Sequence, residues 1–237
     1  MKSLWYKAVV EERGGLYVLA RMFFVFLSLF YRLAIALRRL VYRLGIVKPV
    51  QLPCKVISVG NIAVGGTGKT PLVIYLAKLL SESGKRVGIL ARGYGKLAGG
   101  KDDEDLFGDI PNVIRIAQPD RLKAAQELIK QGVDVIILDD GFQHWRIKRD
   151  LDIVVIDSVN PFGKPAGSPA NRGNKRLFPA GQLREPLSQL KRADMFVLTH
   201  CDFAVPDKLS WLEQFLKSFT PAVCEITAGY GRLSIGC

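Results

Sequence analysis

Seven short apolar runs recur along the chain, at residues 55–59, 86–90, 113–116, 135–138, 153–156, 195–198 and 223–226. Each is four or five residues long, rich in Val, Ile and Leu, and bounded by Gly, Pro or charged residues. Runs of this kind predict strands buried on both faces. Between them lie stretches with helical spacing of apolar positions, at 69–83, 120–131, 184–191 and 207–218. Strands alternating with helices predict an α/β domain of three layers, α/β/α, around a mostly parallel sheet. Two segments break the rhythm: 95–108 is glycine-rich and acidic, and 160–181 is basic and rich in Pro, Gly and Asn. Long connections of this kind in a compact domain tend to carry function.

The first 48 residues have a different pattern. Residues 22–31 form an apolar run closed at both ends by Arg21 and Arg32. Ten helical residues reach about 15 Å, roughly half the hydrocarbon thickness of a bilayer. No small-residue cleavage site follows, so a signal peptide is not expected. On a helix, Arg21, Arg32, Arg39 and Arg43 fall in a stripe about 40° wide, with Phe23, Phe24, Phe26, Leu27 and Phe30 over the remaining surface. That composition predicts an amphipathic helix lying in a membrane interface. The expected division is therefore 1–48 as a membrane-associated helix and 49–237 as the α/β domain, joined by a linker at 49–53.

Composition narrows the partners. The 237 residues carry a net charge of +12, which favours an anionic partner such as acidic lipid or a phosphorylated substrate. No nucleic-acid motif is present, so nucleic acid is not expected to bind. The four cysteines lack paired spacing and only two histidines occur, which argues against a disulfide framework and a multi-histidine metal centre.

The chemistry concentrates in two places. After the first strand comes Gly60-Asn61-Ile62-Ala63-Val64-Gly65-Gly66-Thr67-Gly68-Lys69-Thr70. Glycines allow backbone N–H groups to converge on phosphate oxygens, the helix N-terminus adds positive potential, and Lys69 reaches the terminal phosphates. The Thr70 hydroxyl is a candidate Mg²⁺ ligand. The strict motif begins with Gly where this chain has Ala63. The second place is the strand 135–138, which ends in Asp139-Asp140; an acid at that position meets the metal in phosphate-loop enzymes. These motifs define a protein that binds a nucleoside triphosphate. They leave open a kinase and a regulatory or transport-type NTPase. Thr199-His200-Cys201-Asp202 has the spacing of a guanine-reading Asn/Thr-Lys-x-Asp motif but lacks its lysine.

Further blocks follow in order: Ala91-Arg92-Gly93-Tyr94-Gly95, Asp139-Asp140-Gly141-Phe142-Gln143-His144, Pro161-Phe162-Gly163, and Leu177-Phe178-Pro179-Ala180-Gly181 with Leu183-Arg184-Glu185-Pro186. Together with the phosphate loop they resemble the tetraacyldisaccharide 4'-kinase family. The resemblance implies ATP and Mg²⁺ as cofactors and transfer of a phosphoryl group to the 4'-hydroxyl of the tetraacyldisaccharide 1-phosphate precursor of lipid A. It also implies a peripheral protein on the cytoplasmic face of the bacterial inner membrane; a monomer in contact with acidic lipids is expected. Asp103, within Asp102-Asp103-Glu104, matches the family's proton-accepting aspartate. Catalysis is thereby assigned to Asp103, Lys69, Asp139 and Asp140, the metal to Thr70, Asp139 and Asp140, and nucleotide binding to Ala63 and Gly65 through Thr70. Substrate contacts fall on Asn61, Arg92, Tyr94, Gln143, His144 and Arg184. Family members continue into a smaller C-terminal lobe with an Asp-His-His-like motif, which this chain is expected to lack.

Overall fold

The computed structural model describes Trp5 and residues 15–92, 110–163, 175–220, 222–229 and 232–236. Asp103 and Tyr94 lie outside these described residues. Eight strands form one sheet in the order β3-β2-β4-β1-β5-β6-β7-β8. They are β1 (Lys55–Gly60), β2 (Val87–Ala91), β3 (Val113–Ala117), β4 (Val135–Asp139), β5 (Leu151–Asp157), β6 (Met195–Thr199), β7 (Val223–Gly229) and β8 (Arg232–Gly236). All neighbours pair parallel except the last, where β8 returns antiparallel along β7. The seven expected strands are present, with ends shifted by one to three residues. The hairpin strand β8 was not anticipated.

The helices are α1 (Gly15–Arg43), α2 (Lys69–Glu82), α3 (Arg121–Lys130) and α4 (Pro206–Lys217). α2 buries Leu72, Val73 and Ala77 against Val59, Ile137 and Val155 on one face of the sheet. The other face is covered by α3, through Ala124, Ala125 and Leu128, and by α4, through Leu212 and Leu216. This is the expected three-layer arrangement. Asp120 caps α3 by accepting from the backbone N–H groups of Leu122 and Lys123.

Two expectations change. The helix predicted at 184–191 is a 3-10 helix over Leu187–Arg192, preceded by Pro186. Its first residues are taken instead by the phosphate loop: Arg184 N donates to Ile62 O at 2.7 Å and Leu183 forms an antiparallel bridge with Ala63. Extended pairing and a proline together prevent an α-helical start there. The second change concerns the cysteines. Cys54 and Cys201 are free thiols, whereas Cys224 on β7 is disulfide-bonded, which the scattered spacing gave no reason to expect.

α1 is longer than the apolar run suggested: 29 residues, or about 43 Å. Residues 17–43 are long and apolar enough to cross a membrane by length and composition. The helix nevertheless lies on the domain. Tyr31 Oη donates to Arg184 O at 2.9 Å, Arg38 pairs with the buried Glu185 at 2.6 Å, and Tyr42 packs edge-on against Trp145. The opposite face carries Leu19, Met22, Phe23, Phe26, Leu29, Phe30, Leu33 and Leu37, all exposed. The helix thus turns part of its basic side inward and leaves its apolar side without protein cover.

Candidate functional site

β1 sits in the centre of the sheet, with β4 on one side and β5 on the other. After β1 the chain crosses to the β2 side, and after β4 it crosses to β5, so the carboxyl ends of β1 and β4 face a topological switch point. The phosphate loop leaves β1 at that point. Gly68 stands at the N-cap of α2 with φ 74, a left-handed conformation that glycine adopts without strain. The loop is braced from three sides. Asn61 Nδ2 donates to Thr67 Oγ1 at 2.9 Å, Thr199 Oγ1 donates to Thr67 O at 3.0 Å, and Val64 N donates to Gln182 O at 2.7 Å. Gly65 and Gly66 remain open, with nothing within 4 Å of where a Cβ would project. A braced loop with an open centre is a cradle for oxyanions.

Lys69 opens α2 and reaches Asp140 at the end of β4, with Nζ 3.9 Å from the carboxylate. Asp140 holds a backbone φ of 53, which turns it out of the strand line. Arg184 Nη1 donates to both of its oxygens at 2.7 Å, and Arg92 stands 3.9 Å away. Burial alone would raise the Asp140 carboxyl, but Arg184, Lys69 and Arg92 together hold it below the usual carboxylate range. Asp139 behaves oppositely: burial, reinforced by the adjacent Asp140 charge, pushes its carboxyl up despite Lys69 and Arg121. Lys69 is lowered by its burial, an effect that Asp140 opposes. The backbone carbonyls of Asp139 and Asp140 are both fixed by the buried Arg121, a residue to which no role had been assigned from sequence. Its position at the first turn of α3, after the capping Asp120, gave no functional signal.

Among the described residues no group of three or more His, Cys, Asp or Glu gathers as a metal cage. The donors do suit Mg²⁺ in the way nucleotide sites use it, through one or two protein oxygens with phosphates and waters completing the shell. Two neighbouring carboxylates, one held protonation-prone by burial and by the other's charge, are the electrostatic signature such a cation relieves.

Arg92, Gln143 and Arg184 line a cavity of about 490 Å³ between the domain and α1, together with Tyr31, Arg38 and Phe178. Asn61, expected to meet substrate, is instead fully buried and spends its amide on Thr67. It shapes the loop. Gln143 Nε2 donates to Asn61 O at 2.7 Å, which ties the Asp139–His144 segment to the same loop. The His144 ring is pushed down to about 4 by burial and by the charges of Arg121, Arg146, Arg149 and Arg92. A histidine depressed in the folded state binds fewer protons than in the unfolded chain between about pH 4 and 6.5, so its contribution to stability is present above 6.5 and is lost as pH falls through that window. His144→Gln is expected to flatten the acid side of the stability profile, read as the melting temperature between pH 4 and 7. An unaltered slope would show that the ring is not held neutral.

A braced glycine loop, an invading lysine at the start of a helix and an acid-tipped neighbouring strand, all at the switch point of a parallel sheet, define a P-loop nucleoside triphosphate-binding protein of the α/β class. The family described as tetraacyldisaccharide-1-P 4'-kinase matches residues 20–228, and the chain belongs to that family. It is 44% identical over 207 residues to the tetraacyldisaccharide 4'-kinase of Halothermothrix orenii, covering 78% of this chain and 51% of the relative. With the corresponding protein of Anaeromyxobacter sp. it shares 35% identity over 239 residues, covering 93% of this chain and 60% of the relative. The chain therefore spans about half to three-fifths of these curated relatives. LpxK from Aquifex aeolicus, solved in complex with ATP, superposes with a TM-score of 0.65 at 32% identity, over 88% of this chain and 65% of that one. The cell division protein ftsY of Thermotoga maritima superposes at 0.50 with 16% identity, over 77% of this chain and 65% of that one, which shows the fold alone.

Proposed function

We propose that the chain carries the nucleotide-binding and phosphoryl-transfer half of a tetraacyldisaccharide 4'-kinase, using ATP with Mg²⁺ to phosphorylate the 4'-hydroxyl of a tetraacyldisaccharide 1-phosphate. The observation that carries this reading is the meeting of Lys69, Asp140, Arg184 and Arg92 beside a cavity walled by α1. Three cations around one carboxylate leave a net positive centre where a γ-phosphoryl group would lie. Charge there is neutralised by groups already in position, the main source of rate in phosphoryl transfer. Mg²⁺, held by Thr70 with Asp139 or Asp140, would neutralise phosphate charge as it does in this class. Arg92, Gln143 and Arg184 face the cavity and would orient the disaccharide; His144, next in the chain to Gln143 and held neutral by burial, would add a hydrogen bond without adding charge. Asp103 would accept the proton of the attacking hydroxyl.

The exposed apolar face of α1 supports the membrane part of the reading. A spanning α1 would have to leave the domain and strip Arg38 from buried Glu185, which is costly. A helix lying in the interface keeps these contacts and covers its apolar side with acyl chains. It would present the acylated substrate to the cavity at the cytoplasmic face of the inner membrane.

The test is transfer of ³²P from ATP to the disaccharide lipid by the purified chain, alone and with a relative's C-terminal lobe supplied. Failure in both arms removes the kinase reading, and brisk hydrolysis without lipid would favour a regulatory NTPase. Leu29→Glu combined with Leu33→Glu is expected to lower binding to anionic vesicles by at least about tenfold, since each apolar side chain removed from water contributes roughly 1.5–3 kcal/mol. Nucleotide titration should be unchanged. Equal sedimentation of variant and parent with vesicles would argue against interfacial docking.

A further inference from the structure

Tyr31 meets Arg184 beside the phosphate loop; Tyr42, about 16 Å further along α1, borders a second cavity of about 330 Å³. Its walls come from the end of α1, the linker to β1, the turn between β4 and β5, and the end of the 3-10 helix, and include Tyr42, Pro49, Trp145, Lys148 and Arg192. It shares no lining residue with the 490 Å³ cavity. Charge here is one-sided. The segments 38–49, 145–149 and 187–192 carry nine Lys and Arg and no Asp or Glu. The two acids on the wall are engaged: Asp152 Oδ2 stands 2.7 Å from Arg149 Nη2, and Asp194 Oδ2 accepts from the Asp152 N–H at 2.8 Å. Lys148 is exposed. Arg192 is clamped, with its guanidinium 4.1 Å from the centre of the Phe142 ring and 4.3 Å from that of Trp145, and Nη2 donates to Phe142 O at 2.7 Å. Its Nε and Nη1 are buried and make no hydrogen bond, and burial pulls its pKa down to about 10. Outside the cavity the surface turns apolar: Leu40, Leu44, Ile46, Val47 and Val50 are all exposed.

We propose that this cavity holds the phosphate of an anionic phospholipid headgroup, with Lys148 and Arg192 as donors and the apolar surface from Leu40 to Val50 against the acyl chains. The inference rests on the interfacial placement of α1 argued above and adds to it a defined headgroup site. Three observations carry it. First, a guanidinium and an ammonium on one wall suit a phosphate, and the donors that Arg192 leaves unspent are those an anion would use. Second, the size exceeds what a bare phosphate fills and falls in the range of small-molecule sites. A glycerol headgroup brings hydroxyls, for which Asp152 and Asp194 are acceptors. Third, the surroundings distinguish a lipid from a free phosphate ester. A soluble anion needs no apolar border, whereas Leu40 and Leu44 continue at helical spacing the exposed stripe of Leu29, Leu33 and Leu37. A lipid whose chains lie along that stripe would bring its headgroup to the end of α1, where the cavity opens beside Tyr42.

The test is flotation of the full chain with phosphatidylcholine vesicles, with and without phosphatidylglycerol, beside calorimetric titration with glycerol 3-phosphate. Phosphatidylglycerol should raise binding of the parent by at least about tenfold. Lys148→Gln should remove about tenfold of that gain, the scale of one charged hydrogen bond, and leave binding to phosphatidylcholine alone unchanged. Lys148→Arg should keep the gain. Arg43→Gln takes an equal charge from the exposed end of α1 outside the cavity wall and measures diffuse attraction; a loss as large as that of Lys148→Gln would overturn the site. Glycerol 3-phosphate should bind the parent more tightly than it binds Lys148→Gln, a difference that excludes any contribution from the phosphate loop. Equal titration of the two would also overturn the site. A Lys148-dependent titration without any effect of phosphatidylglycerol would give the cavity to a soluble phosphate ester and end the lipid assignment. A parent that binds phosphatidylcholine but ignores phosphatidylglycerol loses the headgroup site alone. One that binds neither vesicle loses the interfacial reading of α1, and the headgroup site with it.

Discussion

Lys69→Ala should lower nucleotide affinity or phosphoryl transfer by about 10²–10³-fold, the usual cost of removing one preorganised charge from a transferring phosphoryl group. The side chain is only 14% exposed and ends 3.9 Å from Asp140, so it enters the cradle in a fixed direction. Arg184 and Arg92 would still neutralise Asp140 in the variant, and the fold should survive. Thermal unfolding measured beside nucleotide titration separates the two effects. Loss of binding with an unchanged melting temperature is the expected result. Tight nucleotide binding by the variant would remove the phosphate loop from the account.

Gly60→Ala should act on stability instead, by about 3 kcal/mol, the upper end for forcing an extra methyl into a filled interior. For a chain of this size that corresponds to a fall of about 10 °C in melting temperature. A Cβ at this position would stand 2.5 Å from Phe142 Cβ and 2.6 Å from Phe142 N. Phe142 cannot yield. It is fully buried, Arg192 lies over its ring at 4.1 Å and donates to its carbonyl at 2.7 Å, and Gly141 N is bonded to Val59 O. The close approach of β1 to the Asp139–Phe142 turn is what sets the phosphate loop beside the acids. Gly66→Ala, with open space around the added methyl, is the matched control and should melt like the parent.

Much of this was legible in the sequence for a simple reason. Strands buried on both faces announce themselves as unbroken apolar runs, so β1 and β4 and the motifs at their ends could be placed by eye. The stretch 184–191 was read as helix because its spacing is helical in isolation; its true partners, Ile62 and Ala63, lie more than 100 residues earlier in the chain. Asn61 was hidden by something nearer: its amide turns onto Thr67, only six residues on, and is buried where the loop closes on itself, which its neighbours in sequence do not announce. Arg121 was missed because an arginine after a capping aspartate reads as an ordinary helix start. The amphipathic character of α1 is legible from its periodicity, which gives a face without saying what the face meets.

The segment from Leu183 to Glu185 is gripped from both sides: its backbone by Ile62, Ala63 and Tyr31, its side chains by Asp140 and Arg38. Three consecutive residues thereby form a lever between α1, with its exposed apolar face, and the phosphate cradle. Any displacement of α1 by a lipid surface would load that lever, and by thermodynamic reciprocity nucleotide occupancy would alter lipid affinity to the same degree. If α1 docks on a lipid surface as proposed, the chain would register that contact at its phosphate cradle before a triphosphate is spent.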